Sequence, residues 1–384
     1  MFKAAVGWAD EVDSRETTDL ALDMALGGMG GVQPQAALVF SAVDVDLEVV
    51  SAQLRARFPD LRIAGCSTDG EIASGEGFLE DSLVIKLFAS DIIDFTVGIG
   101  RDAIADPAGA TAAAVTQAKA GSDRPVGLCV TMLEGLGTNI RDLVGGLRTA
   151  LGEGIPVVGG AAGDQLRFKG TRQMCNGVVT SDAVVVLMMH GPLAISSGVS
   201  TGYTPLGQSH LVTKAQGAVV HEIDGRPAAE LYADYLQQPS IFYPLAVHDE
   251  TRKSLVLSSP LNFDKDTGAL HLVNPVAENS RVQLSTASRE EIIDAARNAA
   301  GQAVAGFRGE KVEMALLFSC AGRRATLGTR TGEEFEAMRH VLGEGVPAAG
   351  FYCYGEISPE VQGGPSLSHT NAFVAILVGA TGSA

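Results

Sequence analysis

The sequence is poor in charge and in aromatic residues: charged residues make up 19% and aromatics 5% of its 384 positions, and Trp8 is its one tryptophan. The core should therefore be mainly aliphatic. With 46% hydrophobic residues the whole chain is expected to fold. No basic stripe breaks a formal charge of −17, which argues against a nucleic-acid partner, since clustered Lys and Arg are what meet a phosphate backbone. No apolar run approaches the length of a membrane span; runs such as Ala183–Met189 read as buried strands. The opening MFKAAVGWADEVD has neither the charged nor the apolar region of a signal peptide. A cytoplasmic protein without membrane association is expected. Cys66, Cys129, Cys175, Cys320 and Cys353 show no CxxC spacing, which excludes a zinc ribbon and suits a reducing compartment.

Motifs of catalysis are also missing. There is no P-loop, HExxH or GxSxG, and the seven histidines form no i, i+4 pair. Gly98-Ile99-Gly100 fits a loose dinucleotide fingerprint after a strand. Asp102 and Asp106 would repel a pyrophosphate there, so an ordinary strand-to-helix turn is the better reading.

Glycine, by contrast, is abundant at 46 residues, and its placement repeats. LGEGIPVVGG at Leu151–Gly160 nearly spells LGEGVPAAGF at Leu342–Phe351, and AGCSTDGEI at Ala64–Ile72 ends like GFYCYGEI at Gly350–Ile357. Before each glycine turn lie an apolar strand (Ala37–Phe40, Val126–Thr131, Met314–Ser319) and an amphipathic helix. Leu47, Val50 and Leu54 form one helical stripe; Ile140, Leu143 and Leu147 the next; Phe335, Met338 and Leu342 the third. Asp13, Asp106-Pro107, and the Ser288/Glu291 and Thr331/Glu334 boxes mark helix starts. After each turn comes another strand: Ser82–Phe88, Ala183–Met189 and Asn371–Val378.

The pattern predicts an α/β fold, with α+β character in places, made of three units of strand–helix–strand–helix–strand–turn–strand at about 3–89, 94–190 and 281–378. The sheets should be mixed, with helices against them. Two domains are expected, 1–195 holding two units and 196–384 holding an irregular segment (196–280) and the third. That segment should contain a helix after Asp224-Gly225-Arg226-Pro227 and a hairpin joining Ser254–Leu257 to Ala269–Val273.

The turns support two readings. In one, the glycines serve tight crossings, and Glu71, Asp164 and Glu356 close the turns by accepting backbone N–H bonds. In the other, bare backbone approaches a small ligand, with Cys66, Ser67, Thr68 and Glu71 in the first turn, Gly160 and Asp164 in the second, and Phe351, Tyr352, Tyr354 and Glu356 in the third as contacts. Arg323, in the loop after a central strand, has the donor fork to clamp a carboxylate, and His369 lies between the third turn and its strand. A cysteine-dependent enzyme using Cys66, Cys320 or Cys353 as nucleophile is the alternative, but no acid–base pair accompanies any of them at recognisable spacing.

At these residues the sequence resembles the FIST family of sensory domains. The resemblance rests on LVFSA, AGCSTDGEI and PVVGGAAGD in the first half, and on AVVHEIDGRPAAELYADYL, FYPLAV, SCAGR and GFYCYGEI in the second. It implies a non-catalytic, small-molecule-sensing protein of bacterial signal transduction, of the stand-alone type. It further implies an amino acid or similar ligand, and a separate partner such as a histidine kinase or a cyclic-dinucleotide enzyme of the diguanylate-cyclase type. Some stand-alone members bind haem and sense nitric oxide; a haem would need an axial His or Cys. The resemblance itself requires no cofactor or metal.

Overall fold

The computed structural model describes residues 1–249, 255–343 and 345–381. The first unit runs Phe2–Ala9 (strand), Ser14–Met29 (helix), Ala36–Ser41 (strand), Leu47–Arg57 (helix), Arg62–Ser67 (strand), a short hairpin (Glu71–Ala73 and Gly77–Leu79), then strand Leu83–Ser90. The second repeats this order from Asp94–Arg101 to Ala183–His190, with its hairpin at Gln173–Cys175 and Val178–Thr180. The third begins at Leu193–Ser200 and ends at Phe373–Ala380, with its hairpin at Glu356–Pro359 and Ser366–His369.

In each unit the first, last, second and third long strands lie side by side in that order. The second and third are parallel, joined by a crossover helix; the other pairs are antiparallel, so the sheets are mixed. The hairpins do not stay at home. The first unit's hairpin completes the third sheet, the second's completes the first sheet, and the third's completes the second. This cyclic exchange buries what would otherwise be an open edge on every sheet.

The inner faces of the three sheets share one core, to which Leu38, Val130 and Leu316 contribute from matching positions. Phe351 sits there, its ring 4.8 Å from Phe40 and 5.5 Å from Phe318. Helices cover the outer faces and form a separate core with each sheet. The close approach of helix to strand explains a set of glycines. A Cβ on Gly7 would lie 2.0 Å from the Ala21 carbonyl oxygen; on Gly98, 2.0 Å from that of Ala114; on Gly198, 2.0 Å from that of Ala299. Gly98 and Gly100 therefore belong to helix packing inside strand Asp94–Arg101, not to a nucleotide loop.

Three sequence expectations are corrected. The third unit's first strand is Leu193–Ser200, paired with Phe373–Ala380, not the strand expected from residue 281. Arg281–Thr286 belongs instead to an eight-stranded sheet inserted between that first strand and helix Arg289–Gly306. The expected hairpin also differs: Val256–Ser258 pairs with Leu245–Val247, and Leu270–Leu272 with Pro260–Phe263; Ser254 lies outside the described residues. The helix after Pro227 is the short Glu230–Ala233. The Ser288/Glu291 capping box is formed, but Glu334 does not cap its helix and points into the core. Among the described residues no helix is long and apolar enough to cross a membrane.

Candidate functional site

The three glycine turns converge. Gly65, Gly159 and Gly350 occupy one position of the repeat, where a Cβ would meet the carbonyl oxygen of the neighbouring parallel strand at 2.4, 2.0 and 1.7 Å. Only glycine fits so close a crossing. Past that point the turns interlock through their backbones. Asp69 donates its N–H to Tyr352 O, Gly163 to Ser67 O, and Tyr354 to Ala161 O, at 2.9, 3.0 and 3.1 Å. The sequence-predicted residues are therefore neighbours, yet most of them hold the lock rather than face open space.

Register identifies the matching side chains. Glu71 pairs with Phe351, Gln173 with Cys66 and Glu356 with Gly160, each the residue just after the repeated glycine. The second unit's counterpart of the two glutamates is thus Gln173, not Asp164. Glu71 accepts from Thr68 Oγ1 and, at 2.6 Å, from Ser82 Oγ. Burial raises its carboxyl to about 7 against these hydrogen bonds. Glu356 accepts from the Ala372 N–H at 3.0 Å and from Cys353 Sγ at 3.4 Å; burial lifts it to about 8. Gln173 donates to the buried carboxylate of Glu134, which also accepts from Thr171 and the Asp182 N–H.

Several candidates are structural. Arg323 lies in the short helix Ala321–Leu327, not in a loop, and is fully buried; its fork is spent on Glu334 Oε1 (2.6 and 2.9 Å) and the carbonyls of Thr201, Ile292 and Asn371, which leaves no donor to clamp a ligand. Tyr352 sends its hydroxyl to the same Glu334, and Phe351 is core. Ser67 Oγ bridges Gly163 O and the Arg172 N–H. Cys66 is buried in the central core, Thr68 serves Glu71, and Gly160 faces Cys353. His369 is buried, its Nε2 3.1 Å from Ser358 Oγ.

A cavity of about 310 Å³ opens beside the third turn. Three parts of the chain wall it: second-unit loops (Leu136, Ile140, Leu166, Phe168), the third turn with its flanks (Cys320, Cys353, Tyr354, Asn371), and the inserted sheet (Ala218, Leu261, Leu272). Of the expected ligand contacts only Tyr354 lines it; of the candidate nucleophiles, Cys320 and Cys353 do. Tyr354 stacks on Phe168, centroids 5.3 Å apart, donates its hydroxyl to Asp164 and accepts from the Leu166 N–H at 2.9 Å. Asp164 in turn accepts from the N–H groups of Phe168, Lys169 and Gly170. The loop so held is strained: Gln165, Leu166 and Phe168 all adopt φ between 50° and 57°, a region costly for such side chains and common at ligand sites.

The polar end of the cavity was missed in the sequence. Asn371 donates to Ser259 Oγ at 2.9 Å, and Asn274 to Thr370 Oγ1 at 2.6 Å, tying insert to third unit. A signal was present: Asp81, Asp182 and Asn371 precede the last strand of each unit and share a left-handed φ of 53–54°. Cys320 and Cys353, paired in register on adjacent strands, line the inner wall; burial pushes both thiols well up, favouring the neutral form.

A FIST N domain model matches residues 35–226, and a FIST C domain model matches 228–359. The chain belongs to the FIST family. FIST domains are associated with small-ligand sensing in signal transduction. An uncharacterized protein of Mycobacterium tuberculosis is 28% identical over 239 residues, 59% of this chain and 61% of that one. An uncharacterized protein of Methanocaldococcus jannaschii is 33% identical over 114 residues, 28% of this chain and 22% of that one. The chain thus spans about three fifths of the mycobacterial relative. Among solved structures, a cyanuric acid hydrolase from A. caulinodans aligns over 100% of both chains at 13% identity, with a TM-score of 0.38. A chorismatase aligns over 97% of this chain and 98% of its own at 13% identity, with a TM-score of 0.33.

Proposed function

We propose that this FIST protein senses a small molecule in the cavity beside the third turn and passes the signal to a separate cytoplasmic partner, such as a histidine kinase or cyclic-dinucleotide enzyme. One observation carries the reading: the cavity is walled jointly by the second unit, the third unit and the insert. A ligand there touches all three and favours whichever arrangement it fits. Its volume lies at the lower end of the range of small-molecule sites.

Non-covalent binding is the better account of the cysteines. A nucleophile needs thiolate, and burial works against it at Cys66, Cys320 and Cys353. Haem fits this cavity poorly: among the described residues no histidine lines it, and its two thiols are held neutral where an iron would need thiolate.

The test is a thermal-shift screen of small metabolites on wild type and on Ala218→Phe, which fills the cavity from the insert side. A ligand that stabilises wild type by mass action and leaves Ala218→Phe unmoved supports the reading. Hits that stabilise both proteins equally would contradict it.

A further inference from the structure

The lining of this cavity contains, among the described residues, no Lys, Arg, His, Asp or Glu. The charged groups bonded to the lining segments are already engaged; Asp69 takes the Leu166 N–H and Arg324. Asp164 takes three backbone N–H groups and the Tyr354 hydroxyl. Glu134 takes Thr171, Gln173 and two backbone N–H groups. Glu356 is fully buried behind Cys353 and bonded to the Ala372 N–H. The Arg323 guanidinium is committed to Glu334 and to the carbonyls of Thr201, Ile292 and Asn371. A charged ligand would therefore be desolvated without a partner, at a cost far above that of an apolar one.

The hydroxyls differ. Ser259 Oγ and Thr370 Oγ1 each accept a hydrogen bond from an asparagine amide, and among the described residues neither has an acceptor for its own hydrogen. Both line the cavity, together with the apolar side chains of Leu136, Ile140, Leu166, Phe168 and Leu272. From this pairing of an apolar body with two free donors, we infer that the site takes an uncharged, mainly apolar molecule carrying a hydrogen-bond acceptor such as a carbonyl. This rests on the cavity being the ligand site. It sets aside the zwitterionic amino acid that the family resemblance implies, whose carboxylate and ammonium would both lie buried without a counter-charge.

A matched pair of fluorescent probes tests the inference on the full chain. Prodan is a neutral naphthalene bearing a ketone; 6-(dimethylamino)-2-naphthoate presents a carboxylate on the same ring. Prodan emission should shift to the blue and saturate at one site, with the naphthoate and L-phenylalanine at least tenfold weaker. Ala218→Phe should abolish the Prodan signal. Leu261→Trp, at a half-exposed position of the mouth where folding is not at stake, should weaken it several-fold. Naphthoate or phenylalanine binding as tightly as Prodan, yet lost in Ala218→Phe, would overturn the ligand class and leave the site standing. Prodan binding that neither substitution changes would overturn the site itself, and no binding of Prodan would overturn the class.

Discussion

Tyr354, in the third unit's turn, donates its hydroxyl to Asp164, in the second unit's turn, while accepting the Leu166 N–H. One phenol thus holds a strained loop against the cavity it lines. Tyr354→Phe keeps the ring on Phe168 and removes these two bonds and a longer one from the Asp164 N–H at 3.3 Å. Asp164 retains three backbone donors and Leu166 retains Asp69, so the fold should survive with a loss of about 1 kcal/mol. Amide exchange at Leu166–Phe168 should quicken roughly fivefold; unchanged protection there would show that the hydroxyl does not tether the loop.

Arg323 and Glu334 form a fully buried ion pair, with Ser319 and Tyr352 completing the carboxylate. Arg323→Met leaves Glu334 charged and unpaired. Denaturant unfolding should show a loss of about 3–5 kcal/mol. Arg323→Met combined with Glu334→Met should recover much of that loss, because the uncompensated charge is then gone.

Glu71 titrates at about 7 in the folded chain against an ordinary value of 4.5. The folded state then binds the proton more tightly than the unfolded one. Its contribution is fully present below pH 4.5 and is lost as pH rises through 7. Glu71→Gln, which copies what the second unit already carries at Gln173, should flatten that decline. The pH 5 to pH 8 stability difference between wild type and variant should be about 2.5 kcal/mol; parallel pH profiles would show that Glu71 does not titrate in this window.

Gly98→Ala forces a methyl onto the Ala114 carbonyl and should destabilise by at least 1–3 kcal/mol. Gly145→Ala, in helix Ile140–Leu151 with nothing within 4 Å of the added carbon, should stabilise by about 0.5–1 kcal/mol. Thermal unfolding of the two variants checks both signs.

The repeat was legible because its glycines answer a backbone requirement that recurs wherever the parallel strands cross. Gly65, Gly159 and Gly350 are irreplaceable for one shared steric reason, and sequence records such constraints faithfully. The exchange of hairpins was not legible, since a strand of three or four residues carries no mark of which sheet it will join. Asp164 was mistaken for the counterpart of Glu71 because the loop from Gln165 to Arg172 displaces Gln173 from the expected spacing. The third unit's start was misplaced for a related reason. Arg281–Thr286 is strand-like and leads into a well-capped helix, as a first strand should, while Leu193–Ser200 lies far away in sequence beyond the insert. Arg323 looked available because a guanidinium in a loop is usually solvated; its partner Glu334 lies on a helix where the spacing suggested a capping role. The cavity draws on segments distant in sequence, and only Tyr354 among the expected contacts reaches it.

Occupation of the cavity by ligand is measured most directly by hydrogen exchange with and without Prodan. Bound probe should protect three separate stretches together: 136–140 with 166–168, 320–322 with 354, and 259–261 with 272. Protection confined to one stretch, or found only elsewhere in the chain, would contradict it.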